Sequence, residues 1–135
     1  MDFHLGRLID HVHLRVSDLE ASRLFYQAVL KAVGREFSSE SPKHFACDEM
    51  WVDRAEGPVS RVHLAFQARD RDMVHAFHAA ALANGGRDNG GPGERAYHPG
   101  YYAAFALDPD GNNIEAVFHG PAERSAESVT VRATA

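Results

Sequence analysis

Nine histidines against fourteen Lys and Arg is a high proportion for a chain of 135 residues, and two of them are marked by position. His11 stands in the alternating stretch IDHVHLRV, and His63 stands at the same place in a second stretch, RVHLAFQ, 52 residues later. A third group, Glu115, interrupts the apolar run Ile114–Phe118, where a carboxylate is costly unless a cation or a donor meets it. In the first half of the chain the best match to Glu115 is Glu49 of DEMWVD, with Asp48 and Asp53 competing for the register. Two imidazoles with one or two carboxylates suit Fe(II), Mn(II), Ni(II), Co(II) or Zn(II) and leave positions open for water or substrate. A metal held this way can act as a Lewis acid and as a template.

The elements that must position these groups repeat. Leu8–Val16 alternates apolar and polar residues and reads as a strand with one face on a core. Ser17 and Asp18 then open a helix whose apolar positions are Leu19, Ser22, Leu24, Phe25, Ala28, Val29 and Ala32, closed by Gly34. Strand candidates follow at 36–39, 44–47 and 49–53, before Gly57-Pro58 breaks the chain. The pattern then restarts. Arg61–Ala68 reads as a strand, and Asp70 opens a helix bearing Met73, Val74, Phe77, Ala80, Ala81 and Leu82 before Gly85-Gly86. A turn-rich connection covers 88–100, and the strands Tyr101–Leu107 and Asn113–His119 flank the turn Asp108-Pro109-Asp110-Gly111. Sliding residues 10–34 onto 62–86 without gaps superposes His11 on His63, Asp18 on Asp70, Phe25 on Phe77 and Gly34 on Gly86. We therefore read two copies of a strand–helix–three-strand unit, spanning 1–60 and 61–120 of one globular domain, followed by a small, polar, poorly packed tail at 121–135.

Side chains alternate along a strand, so His13 and Arg15 share the face of His11, and Gln67 shares that of His63. These three read as substrate-binding residues lining the cleft. Of His11 and His13, only His11 has a histidine counterpart in the second unit. In the stretch Tyr97–Tyr102, His98 is a candidate general acid or base, and one of Tyr101 and Tyr102 must face the cleft, the sequence leaving open which. Trp51 reads as core packing, and His75 and His78 as structural.

Composition narrows the function classes. A hydrophobic fraction of 44% with 24% charged residues fits a folded domain and not a disordered tail, and no apolar run reaches the length of a membrane span. Nineteen acidic against fourteen basic residues give a net charge of −5, with no basic track for a nucleic-acid backbone. The lone Cys47 and the absence of a charged-then-apolar leader point to a reducing cytoplasm.

The stretches IDHVHLRVSDLEASRLFY (9–26), VHLAF (62–66) and FALDPDGNNIEAV (105–117) resemble the vicinal oxygen chelate superfamily of glyoxalase I, fosfomycin-resistance enzymes, bleomycin-resistance proteins and extradiol dioxygenases. The resemblance implies an α+β fold of two βαβββ modules whose curved mixed sheets enclose a metal cleft. It carries the metal ligands onto His11, His63 and Glu115, with Glu49 as the fourth ligand found in glyoxalase I-like members. It implies a divalent-metal enzyme acting on a small substrate with vicinal oxygens by proton transfer, as a lyase or isomerase in which Glu115 or Glu49 doubles as base. The alternatives are an Fe(II) extradiol-type dioxygenase, which manages with three ligands, and a non-catalytic drug-binding protein. A homodimer is the expected assembly by the same resemblance.

Overall fold

The computed structural model describes residues 2–6 and 8–135. Its elements, in chain order, are β1 (Asp2–Leu5), β2 (Val12–Val16), α1 (Leu19–Ala32), β3 (Ser39–Ser41), β4 (His44–Cys47), β5 (Met50–Arg54), β6 (His63–Gln67), α2 (Arg71–Ala83), β7 (Arg87–Asp88), β8 (Gly93–Glu94), β9 (Tyr102–Leu107), β10 (Asn113–Phe118) and β11 (Val129–Arg132). The first sheet has the order β2-β5-β4-β3 and the second β6-β10-β9-β7, with β8 also on β9. Both are mixed: β2 runs parallel to β5 and β6 parallel to β10, and the remaining pairs are antiparallel. The fold is α+β, two sheets and two helices, and the sheets do not close into a barrel.

The repeat is visible atom by atom at the helix starts. The Asp18 carboxylate accepts from the backbone N–H of Ala21 at 3.0 Å, and 52 residues on, Asp70 accepts from Met73 at 2.8 Å. Each satisfies one of the donors that a helix start leaves open, worth about 1 kcal/mol. Phe25 and Phe77, matched by the same offset, are both fully buried. The matched glycines serve different ends. Gly34 holds a left-handed φ of 79° after α1, but after α2 that role falls to Gly85 at 90°. Gly86 is needed for closeness, since a Cβ there would lie 2.7 Å from the ring of Phe25. Leu24 and Leu82, read from the sequence as core positions, are instead 58% and 44% exposed, because Leu24 falls on the side of α1 opposite the buried Phe25, Tyr26, Val29 and Leu30, and Leu82 falls to the side of the buried Val74, Phe77 and Ala81 of α2.

Two further expectations change. The strand expected over Leu8–Val16 begins only at Val12, as β2, and Leu8 and Ile9 stay exposed. The tail is not wholly unpaired, because β11 forms an antiparallel ribbon with β1, although β11 itself is exposed. The backbone register and a hydrogen bond of 2.7 Å between His4 Nδ1 and Ser128 Oγ join these two ends, and no sequence pattern announces it.

A buried link joins the modules. The Tyr26 hydroxyl of α1 donates to Asp108 Oδ2 at 2.6 Å, in the turn between β9 and β10. That turn is tied by Asp108 N–H to Asn112 O and Gly111 N–H to Asp108 O, both at 2.9 Å. Among the described residues no helix is long and apolar enough to cross a membrane.

Cys47 is 5% exposed, and burial, with Asp48 next, pushes its thiol up to about 12. Only the thiolate attacks a disulfide reagent. At pH 8 the folded protein should therefore react on the order of 1000-fold more slowly than the urea-unfolded chain. A rate near that of the unfolded chain in a thiol-release assay would contradict the packing around β4.

Candidate functional site

The second module carries the more complete set of groups. Glu115 lies in the middle of β10, opposite Ala65 of β6 and Phe105 of β9, and is 2% exposed between the buried Ile114 and Ala116. Alternation turns Ile114 and Ala116 to the core and Glu115 to the other face. Both oxygens are met: Oε1 shares a hydrogen bond of 2.8 Å with His63 Nε2, and Oε2 accepts from the Tyr101 hydroxyl. Burial first, and then Glu115 itself, push the Tyr101 phenol up to about 12, so it remains a neutral O–H donor. The His63 side chain is half exposed, leaving its imidazole open to an incoming group.

Tyr101 is therefore the tyrosine on this face. Tyr102 points the opposite way, its hydroxyl 2.6 Å from His75 Nε2 of α2 under the guanidinium of Arg71, and it leaves the set of substrate-binding candidates. Strand alternation made one of the pair face inward, and packing against α2 chose which. His98 is not hydrogen-bonded to Glu115. Its Nε2 lies 2.8 Å from His119 Nδ1, and the ring stands edge-on to Tyr101 at 5.3 Å. His119, which carried no positional signal in the sequence, thus completes an aromatic margin with Tyr97, His98 and Tyr101.

The first module presents the other candidates. His11, His13, Asp48, Glu49 and Trp51 line a cavity of about 370 Å³. Exposed His11 bonds Asp10 at 2.7 Å through Nδ1, which leaves Nε2 to the cavity. His13 is engaged with Asp53 at 2.7 Å. Burial works upward on the Asp53 carboxyl, but hydrogen bonds from His13 and Trp51 outweigh it and leave it below its usual range. Burial, and then Asp48, hold the Glu49 carboxyl above its usual range. Arg15 is exposed on the same strand face as His13.

Register corrects the match of Glu49 to Glu115. Glu115 is opposite Ala65, two residues after His63, and the residue opposite His13, two after His11, is Trp51. Trp51 therefore holds in β5 the place that Glu115 holds in β10, and it is 39% exposed with its ring stacked on His44 at 4.1 Å. Glu49 and Asp53 flank that place on the same face. The sequence could not separate them, since pairing with β2 is set by the fold and not by the local pattern.

Gln67 borders a second cavity of about 700 Å³, which Glu49, Cys47 and the tail residues 124–129 also line. Its Oε1 accepts from Arg124. Among the described residues, no three His, Cys, Asp or Glu gather closely enough to hold a metal ion. His63 and Glu115 come together, whereas His11 and Glu49 border the cavity of the other module. The donor types fit a divalent ion, but one copy presents them as two halves.

Residues 8–116 match the sequence model of the Glyoxalase/Bleomycin resistance protein/Dioxygenase superfamily. Among solved structures, a glyoxalase/bleomycin resistance protein from Albidiferax ferrireducens is 31% identical, with a TM-score of 0.72 over 82% of this chain and 98% of that one. A lactoylglutathione lyase from Agrobacterium tumefaciens is 22% identical, with a TM-score of 0.60 over 83% of this chain and 93% of that one, a likeness of fold. A glyoxalase I mutant from Zea mays is 26% identical, with a TM-score of 0.57 over 81% of this chain and 45% of that one. No curated protein matches the chain.

Proposed function

Because the chain belongs to the glyoxalase/bleomycin resistance protein/dioxygenase superfamily, we propose that it is a divalent-metal-dependent enzyme acting on a small substrate with vicinal oxygens. The proposed chemistry is proton transfer of the lyase or isomerase kind. The observation that carries this reading is Glu115, a carboxyl buried to 2% exposure on an open sheet face with His63 on one oxygen and Tyr101 on the other. Structure alone does not require a carboxyl there, and burying one without a task is costly.

His63 and Glu115 of one copy, with His11 and Glu49 of a second, would hold the ion, so the working form is a homodimer. When bound, the ion supplies Lewis acidity toward two neighbouring oxygens. Tyr101 keeps Oε2 engaged, so Oε1, which meets His63, is the oxygen that would face the ion and could take a proton once released from it. Phe105 and Ala103 make this face apolar and limit water around the reacting atoms. His98, exposed and bonded to His119, stands where a proton can pass to solvent. His13, Arg15, Gln67 and Tyr101 line the substrate's surroundings. A cytoplasmic location suits the lone thiol of Cys47.

One observation favours a second reading. Trp51 at the register of Glu115 leaves the first module without a carboxylate at the matched place. A set of only His11, His63 and Glu115 fits a three-donor site, which resembles the Fe(II) dioxygenase arrangement. A metal-free binding protein is the third reading.

The test is metal content by mass spectrometry, together with mixing of half-site variants. His11→Ala and His63→Ala should each lose the metal. Mixed, unfolded together and refolded, they should recover about a quarter of the wild-type sites, since half of random dimers carry one intact site of two. No recovery would place the whole donor set in one chain. A metal-free wild type that takes up none of the candidate ions would leave the binding-protein reading. Bound nickel, cobalt or zinc supports proton transfer, and bound iron supports oxygen chemistry.

A further inference from the structure

We propose that Arg95 anchors a carboxylate of the substrate, so that the substrate is a small carboxylic acid that also carries the vicinal oxygens. This rests on the site reading above and adds to it the substrate class. The backbone places Arg95 beside the site: its N–H donates to Tyr101 O at 2.9 Å, next to the pairing of β8 with β9. Its guanidinium lies 5.3 Å from the centre of the Phe105 ring. Phe105 is the residue directly opposite Glu115, and its ring is 6.0 Å from that of His63. The cation, the imidazole and the buried carboxyl therefore border one aromatic floor.

Arg95 has no anion of its own. It donates to two backbone carbonyls, Nη1 to Glu94 at 3.3 Å and Nη2 to Gly91 at 2.8 Å. Among the described residues Arg23, Arg35 and Arg71 each pair with a carboxylate, whereas Arg95, like Arg54, Arg61, Arg69 and Arg87, does not, and of these it is Arg95 that lies over the Phe105 ring. A guanidinium has five N–H donors in a fixed fork that matches a carboxylate, and resting on a ring face holds the fork in place. The residue is half-buried, so a charge-assisted bond there is less weakened by water. Two other arginines compete for the role. Arg15 acts on Asp53, and Arg124 belongs to the exposed tail and is occupied by Gln67. Arg95 sits in the connection between α2 and β9, where no strand period orients a side chain.

The probes are 3,4-dihydroxybenzoate and 3,4-dihydroxybenzamide, which share two neighbouring oxygens and differ in the carboxylate. Their binding is measured by calorimetry on zinc-loaded and on chelator-treated protein. Wild type should bind the acid at least about tenfold more tightly than the amide in both states. Arg95→Met should erase that preference without weakening the amide, and Arg95→Lys should restore part of it. Equal binding of the two probes by wild type, a preference that survives in Arg95→Met, or one that disappears instead in Arg15→Met or Arg124→Met would overturn the assignment. Whether zinc tightens both probes together tests the metal reading separately, so the two can fail independently.

Discussion

Glu115→Gln should yield a folded protein that no longer retains metal. The amide oxygen can still accept from the Tyr101 hydroxyl, and the amide nitrogen can donate to His63 in the tautomer that leaves Nε2 free. No buried donor is stranded and no cavity opens, so the urea midpoint should move by less than about 1 kcal/mol of stability. Metal affinity should fall by more than about 100-fold, because groups that merely support a ligand already cost 10 to 100-fold when removed. Metal content after dialysis, read beside the unfolding curve, separates the two effects. Wild-type metal content in Glu115→Gln would remove this carboxylate from the donor set. Glu115→Ala is the weaker experiment, since it takes the partner from the half-buried Tyr101 hydroxyl, empties a buried position and confuses instability with lost ligation.

Asp108→Ala should have the largest effect on stability. The carboxylate is 2% exposed and accepts four hydrogen bonds: from the Tyr26 hydroxyl at 2.6 Å, the backbone N–H groups of Asp110 at 2.9 Å and Asn112 at 2.8 Å, and Asn112 Nδ2 at 3.1 Å. Asn112 in turn accepts from the Val62 backbone at 2.8 Å, one residue before His63. The side chain thus clasps α1, the β9–β10 turn and the entry to β6. Its loss leaves several buried donors without an acceptor, each costing about 1–3 kcal/mol, so the chain should lose about 3–5 kcal/mol in urea unfolding. Tyr26→Phe removes one of these bonds and should cost about 1–2 kcal/mol. A change below about 1 kcal/mol in Asp108→Ala would mean that the turn is held by its backbone alone.

The alignment that matched His11 to His63 also matched two helix caps and two buried phenylalanines, because each of these is fixed by a local period or by a local backbone requirement. That is why the doubled unit, both helix starts and the buried carboxylate of β10 were legible in the residues. Glu115 was legible for a further reason: an acid between Ile114 and Ala116 is conspicuous in any apolar strand. Tyr101 was legible only as one of two, since alternation names a pair of faces and not which one packs on α2. Arg95 and His119 had no signal, lying where no strand or helix period points a side chain.

The sequence by itself thus determined the repeated architecture, the helix boundaries and the two histidine positions, all consequences of short-range patterning. Only the tertiary structure decided the register of β5 against β2. It thereby put Trp51 where Glu115 has its counterpart, sent His13 to Asp53, and divided the donors between two module faces. Strand pairing across tens of residues depends on the packing of the whole sheet. A slip of one residue reverses which side chains face the site, and nothing in DEMWVD alone selects among those registers.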